Sequence, residues 1–177
     1  MTREKMKIAV SGKSGCGNTT ISRLVSEKLD LAFINFTFRS LAAEKGLSLK
    51  EVLAKAAIDD WWDREVDTRQ LAMAEKAKGC VLGSRLAIWM LKEADLKVYL
   101  RASPEVRAGR IIKREGGVLE EIAAFTLERD RQDRERYMQI YNIDNDNYSF
   151  ADLIVDTDTM GIEEIAGAII NEADRRK

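Results

Sequence analysis

Residues 12–20 read Gly12-Lys13-Ser14-Gly15-Cys16-Gly17-Asn18-Thr19-Thr20 and lie between a short β-branched run and a segment of helical periodicity. Glycines in that setting let successive backbone N–H groups converge on an anion at a helix N-terminus, where the helix dipole favours negative charge. The spacing follows the phosphate-loop pattern G-x-x-x-x-G-K-[ST] with one break, because Asn18 stands where the pattern has lysine. Thr19 keeps the position whose hydroxyl binds Mg²⁺, which makes it the candidate metal ligand. The whole of 12–20 is a candidate phosphate cradle, the alternative being a glycine turn that binds nothing. Lys13 follows the first glycine and is either a replacement cation or a solvated surface lysine.

A second concentration of charge spans 128–136, with four arginines and four acids. Taken alone, such a segment is a helix laced with i,i+4 ion pairs. Arg129, Asp133 and Arg136 nevertheless fall at i, i+4 and i+7 on one helical face, and Arg107, Arg110, Lys113 and Arg114 lie just upstream of the pair Gly116-Gly117, a possible hinge. Arginine density of this kind suits phosphoryl chemistry, since the planar fork binds phosphate oxygens bidentately and a basic lid excludes water. Arg39 and Arg85 extend the set, with a surface ion pair as the plain reading of each. The chain has no histidine, which removes a Ser-His-Asp triad, a histidine base and histidine metal ligands together. Catalysis is left to carboxylates, cations, backbone amides and a borrowed metal.

The 177 residues fit one domain, and 45% apolar, 33% charged residues with a single proline describe a soluble, helix-rich globule. The apolar runs fall far short of the ~18 residues of a membrane span, and no signal peptide is read, so a cytoplasmic protein without a membrane partner is expected. Lys plus Arg (29) balances Asp plus Glu (30), so no global field draws in nucleic acid and none is expected as a partner. Cys16 and Cys80 are read as free thiols, Cys16 as structural. A monomer is expected, with a dimer as the alternative.

These residues need elements to place them. Strands are expected at 7–10, 31–35, 80–82, 95–101 and 151–156. Helices are expected after Thr19 (Ile21, Leu24, Val25, Leu29), from the capping box at Ser48 to about Ala57, from about Asp59 to Lys78, and through Trp89 and Leu91. Three more follow: from the Ser103-Pro104 start to Gly116, over 118–141, and through Ile162, Ile165 and Ile169. Strands alternating with helices give an α/β fold, a five-stranded parallel sheet covered on both faces, with ligands outside the carboxyl ends of its strands.

With Phe38-Arg39-Ser40-Leu41-Ala42, Val81-Leu82-Gly83-Ser84-Arg85-Leu86-Ala87, Leu96-Lys97-Val98-Tyr99-Leu100 and the Arg129-Asp130-x-x-Asp133-x-x-Arg136 segment, the chain resembles the P-loop nucleoside monophosphate kinases over nearly its whole length. Within them it is similar to the short cytidylate kinases of archaeal and spirochaete type, which lack the larger inserted domain. The resemblance implies a P-loop kinase fold in one domain over 1–177, with substrate-binding helices at about 36–78 and a basic lid at about 107–136. It implies transfer of the γ-phosphoryl of ATP, as its Mg²⁺ complex, to CMP or dCMP. Arg39 and Arg85 would hold the acceptor phosphate, Arg129, Asp133 and Arg136 the acceptor nucleotide, and Lys13, Arg110 and Arg114 the transferring group. Lys13 also occupies the place of the signature lysine in the deviant loops of septum-site and partition ATPases, which suggests a replacement cation in cis or in trans. Trp61, Trp62, Asp63, Arg64 and Asp67 would lie on the acceptor side, the tryptophans as base-stacking or packing residues, and Asp156-Thr157-Asp158 near the adenine. Gly83 stands where the family commonly has an acidic residue supporting the metal shell. Two other readings stay open: a nucleotide-binding pseudokinase or regulatory module, and a kinase with another acceptor such as UMP.

Overall fold

The computed structural model describes residues 3–176. Five strands, β1 (Lys7–Gly12), β2 (Ala32–Ile34), β3 (Cys80–Gly83), β4 (Leu96–Arg101) and β5 (Leu153–Asp156), form one parallel sheet in the order β2-β3-β1-β4-β5. The helices are α1 (Asn18–Leu29), α2 (Phe38–Lys45), α3 (Leu49–Ala56), α4 (Trp61–Lys76), α5 (Ala87–Met90), α6 (Pro104–Glu115), α7 (Leu119–Tyr141) and α8 (Ile162–Arg175). Among the described residues no helix is long and apolar enough to cross a membrane.

Strand side chains alternate between the two faces, and the fold uses both. Ile8, Val10, Val81, Leu96, Val98 and Leu100 pack with Ile21 and Val25 of α1 and Ile165 and Ile169 of α8. Ala9, Leu82 and Tyr99 turn the other way, against Ala74 of α4 and Ile88 of α5. A separate cluster of Phe38, Leu41, Val52, Ala56 and Val66 holds α2, α3 and α4 together.

The predicted strands and helices are present, with ends shifted by one to three residues. Helix α2 is not marked by periodicity, though it lies within the 36–78 stretch where the resemblance places helices. Its start is fixed by Thr37, whose hydroxyl accepts from the Ser40 N–H at 3.4 Å while the Thr37 N–H donates to the Ser40 hydroxyl at 3.1 Å. Trp62 packs against the α2–α4 cluster, and Trp61 is exposed, meeting Trp62 edge-on with ring centres 5.0 Å apart.

Candidate active site

The loop between β1 and α1 is shaped by close approach. A Cβ on Gly12 would lie 2.5 Å from the Leu100 carbonyl oxygen, and one on Gly15 would lie 2.7 Å from that of Arg107, so neither position accepts a side chain. Gly15 (φ 84°) and Gly17 (φ 94°) adopt the left-handed conformation, which glycine takes without strain. Four successive carbonyls are tied down. Lys13 O accepts from the Cys16 N–H (3.1 Å), Ser14 O from Arg107 (3.1 Å), Gly15 O from Arg110 (3.4 Å) and Cys16 O from the Thr157 hydroxyl (3.2 Å). With its carbonyls held, the loop leaves the N–H groups of Ser14, Gly15 and Gly17 without a backbone acceptor among the described residues, the arrangement an anion completes. Burial pushes the Cys16 thiol up to about 11, so it stays neutral and acts as packing under the loop.

Asn18 does not reach into this cradle. Its amide nitrogen donates to Val10 O (2.8 Å) and Ser84 O (3.2 Å), and its oxygen accepts from the Ser22 hydroxyl (3.0 Å). It braces the carboxyl ends of β1 and β3. Gly83 belongs to the same arrangement, because a Cβ there would stand 2.6 Å from Ser22 Oγ and 2.7 Å from Asn18 Oδ1. The break in the phosphate-loop pattern at Asn18 and the glycine at position 83 of β3 thus fit each other. Lys13 pairs with Asp146 at 2.7 Å at the mouth of the loop. Thr19 is exposed at the head of α1, where its hydroxyl suits one position of a Mg²⁺ shell completed by phosphate oxygens and water.

Across the cleft, α7 presents Arg129, Asp133 and Arg136 inward. Asp133 is buried and accepts from Arg136 (2.6 Å) and from Arg85, and Arg136 also donates to Asp63 of α4 (3.0 Å). Arg129 pairs with no carboxylate among the described residues, and its Nε is buried without a partner. Burial first, then the charges of Arg85, Arg39 and Arg136, lower its pKa to about 8. This is a surplus of positive charge that a bound anion relieves. Arg39 sits on α2 and joins Glu115 of α6 at 2.6 Å, linking the two walls of the cleft.

The arginines of α6 are not alike. Arg107 is buried, paired with Asp130 at 2.6 Å, and serves the loop backbone. Arg110 bridges Gly15 O to the Thr157 hydroxyl (2.9 Å) and carbonyl (2.5 Å), so it positions the loop against the turn after β5. Arg114 is exposed and bonds its neighbour Glu115 at 2.9 Å. The resemblance places Asp63 on the acceptor-side helix, without Arg136 as its partner. Sequence reasoning did not single out Asn145 or Asp146, which lie in a loop without periodicity.

A parallel sheet in this order, a glycine loop at the end of β1 and an arginine cluster facing it define a P-loop phosphotransferase. Solved structures agree on the fold: a shikimate kinase from Acinetobacter baumannii in complex with shikimate superposes with a TM-score of 0.65 at 20% identity, covering 98% of this chain and 96% of that one. A deoxyadenosine kinase from M. mycoides with bound dATP gives 0.57 at 20% identity, covering 96% and 100%. The chain belongs to the cytidylate kinase-like family, whose sequence profile matches residues 7–159. It is 47% identical to cytidylate kinase 2 of Borreliella afzelii over 97% of this chain and 98% of the relative, and 40% identical to the cytidylate kinase of Archaeoglobus fulgidus over 97% of each.

Proposed function

We propose that the protein transfers the γ-phosphoryl group of ATP to CMP or dCMP, forming ADP and the corresponding diphosphate. The observation that carries this reading is the unneutralised Arg129, its Nε buried without a partner near Arg85 and Arg136, across the cleft from the phosphate loop. Two anion sites face each other, one for a donor and one for an acceptor, and the cytidylate kinases to which the chain is similar carry out a reaction of that form. Residues 12–20 cradle the donor phosphates, and Arg39 and Arg85 hold the acceptor phosphate. Arg129, Asp133 and Arg136 hold the acceptor nucleotide. Lys13 supplies the charge that position 18 lacks, and Arg110 and Arg114 of the lid act with it on the transferring group.

No general base is required, because the acceptor phosphate is already an anionic nucleophile; the protein orients the two phosphates in line and neutralises them. When bound, Mg²⁺ neutralises charge on the donor phosphates, and Thr19 is the residue of this chain that would hold it. We read the chain as one domain over 1–177, with substrate-binding helices at about 36–78 and a lid at about 107–136, acting as a cytoplasmic monomer on small nucleotides rather than on nucleic acid.

The test is a coupled ADP-release assay with ATP and Mg²⁺ across CMP, dCMP, UMP, AMP and GMP. CMP or dCMP is expected to be the best acceptor. A preference for a purine, or ATP binding without turnover on any acceptor, would overturn the reading, the latter in favour of a nucleotide-binding module.

A further inference from the structure

Gly12 and Lys13 on the donor side and Arg85 and Asp133 on the acceptor side enclose a small cleft whose remaining wall includes Asn145. Asn145 is 6% exposed, its Oδ1 is buried without a partner, and its side-chain amide makes no hydrogen bond among the described residues. A buried acceptor left unpaired costs free energy, and native folds keep such groups chiefly where a ligand, an ion or water completes them; the amide nitrogen beside it is likewise without a hydrogen-bond partner among the described residues. The turn that carries it is fixed on every other side. Asp146 is held by Lys13 at 2.7 Å, and Asp144 accepts from Arg134 at 2.9 and 2.8 Å and from the Asp146 N–H at 3.0 Å. Beyond the turn, Tyr148 stacks on Tyr99 of β4 with ring centres 3.7 Å apart. The segment is thus pinned to α7, the phosphate loop and the sheet, and its buried side-chain atom without a partner among the described residues is Asn145 Oδ1, at the cleft between the two phosphate sites.

We propose that Asn145 is a catalytic residue that contacts the phosphoryl group during transfer, an assignment that rests on the ATP-to-nucleotide reading above. In that step an oxygen of the acceptor phosphate forms a bond to the γ-phosphorus. The bond from that phosphorus to the β,γ-bridging oxygen breaks, and its electron pair stays on the departing ADP. The group in flight keeps its three equatorial oxygens, and an amide N–H donates to one of them. The carbonyl end of the same amide is free to accept from the Lys13 ammonium, whose Asp146 anchor is the next residue. An amide is suited to this place because it donates without adding charge and accepts from a cation at the same time.

The experiment compares wild type, Asn145→Ala and Asn145→Asp in kcat and KM for ATP and CMP. It adds the affinities for ADP and for the β,γ-imido analogue of ATP, and the Tm of each free protein. Asn145→Ala is expected to lower kcat by about 10- to 100-fold with both KM values within about threefold. It should weaken the imido analogue more than ADP and leave the Tm of the free protein unchanged or higher, since an unpaired buried amide has been removed. Asn145→Asp, the same shape with a negative charge, should lose more activity than Asn145→Ala. Asn145 is not catalytic if kcat in Asn145→Ala stays within about threefold of wild type, or if both variants lower the free-protein Tm by more than about 5 °C and weaken ADP and the imido analogue equally. An inactive wild-type chain would sink both the proposed function and this assignment, whereas an active wild type with an unaffected Asn145→Ala would sink this assignment alone.

Discussion

An asparagine amide forms hydrogen bonds where a lysine carries charge, and at position 18 the substitution changes architecture as well as electrostatics. Asn18 ties Val10 O and Ser84 O together and receives the Ser22 hydroxyl, in space that Gly83 leaves open. A cation ~4 Å from a phosphate at an effective dielectric of ~20 interacts by about 4 kcal/mol, so the loop needs its charge from elsewhere. Lys13 lies at the mouth of the loop, 2.7 Å from Asp146. Lys13→Ala is expected to lower kcat at least ~10-fold, equivalent to ~1.4 kcal/mol. Adding Asn18→Lys to that variant should not recover the rate, because the lysine cannot make the brace and the oxygen that serves Ser22 is gone. Asn18→Ala alone should cost about 1–3 kcal/mol of stability, seen as a fall in Tm of several degrees. Recovery of kcat in the double variant at an unchanged Tm would show that position 18 still faces the phosphates.

At the level of elements, α4 and α7 meet through polar groups as well as apolar ones. The Tyr141 hydroxyl donates to Asp67 at 2.8 Å, and Asp63 pairs with Arg136 one turn away. Burial pushes the Asp67 carboxyl up to about 7; the Tyr141 hydrogen bond opposes this, and the charge of Asp63 adds to it. An unfolded aspartate titrates near ~3.9, so between that pH and about 7 the folded chain holds a proton that the unfolded chain has released. Stability from this group is therefore complete below about pH 4, declines as pH rises toward 7, and is flat above. Asp67→Asn removes the titration and keeps an acceptor for Tyr141. Its Tm relative to wild type should be higher at pH 8 than at pH 5, and an equal offset at the two pH values would place the carboxylate in a solvated setting. The face of α7 was legible because Arg129, Asp133 and Arg136 recur at i, i+4 and i+7, a spacing that survives whatever packs against it. Their partner Asp63 comes from another helix, 73 residues from Arg136, and no local pattern announces it. Periodicity did not mark helix α2 for a related reason: its eight residues make a weakly amphipathic run whose stability comes from the Thr37 cap and from packing of Phe38 and Leu41.

For the molecule as a whole, a formal net charge of −1 hides a strongly polarised interior surface. Arg85, Arg129 and Arg136 converge from a loop and a helix on a cleft whose opposite edge is the phosphate loop, and Arg39 with Glu115 joins the two walls. A ligand that binds only the folded chain stabilises it by RT ln(1 + [L]/Kd), about 2.7 kcal/mol at a hundredfold excess over Kd. For a chain of this size each kcal/mol moves Tm by ~2–4 °C, so one saturating nucleotide should raise Tm by about 5–10 °C. The cluster around Arg129 predicts which nucleotide does so on the acceptor side. CMP should raise Tm well above the effect of cytidine, because the phosphate is what relieves the buried guanidinium, and the increment should shrink in high salt only where the phosphate is reached by exposed groups such as Arg39. Adding CMP to protein already saturated with the β,γ-imido analogue of ATP should give a further rise if the proposed donor and acceptor sites are separate. AMP and GMP at the same concentration should give less. If cytidine stabilises as much as CMP, the surplus charge at Arg129 is not a phosphate site, and if AMP or GMP matches CMP, the Arg129, Asp133 and Arg136 face does not select the pyrimidine.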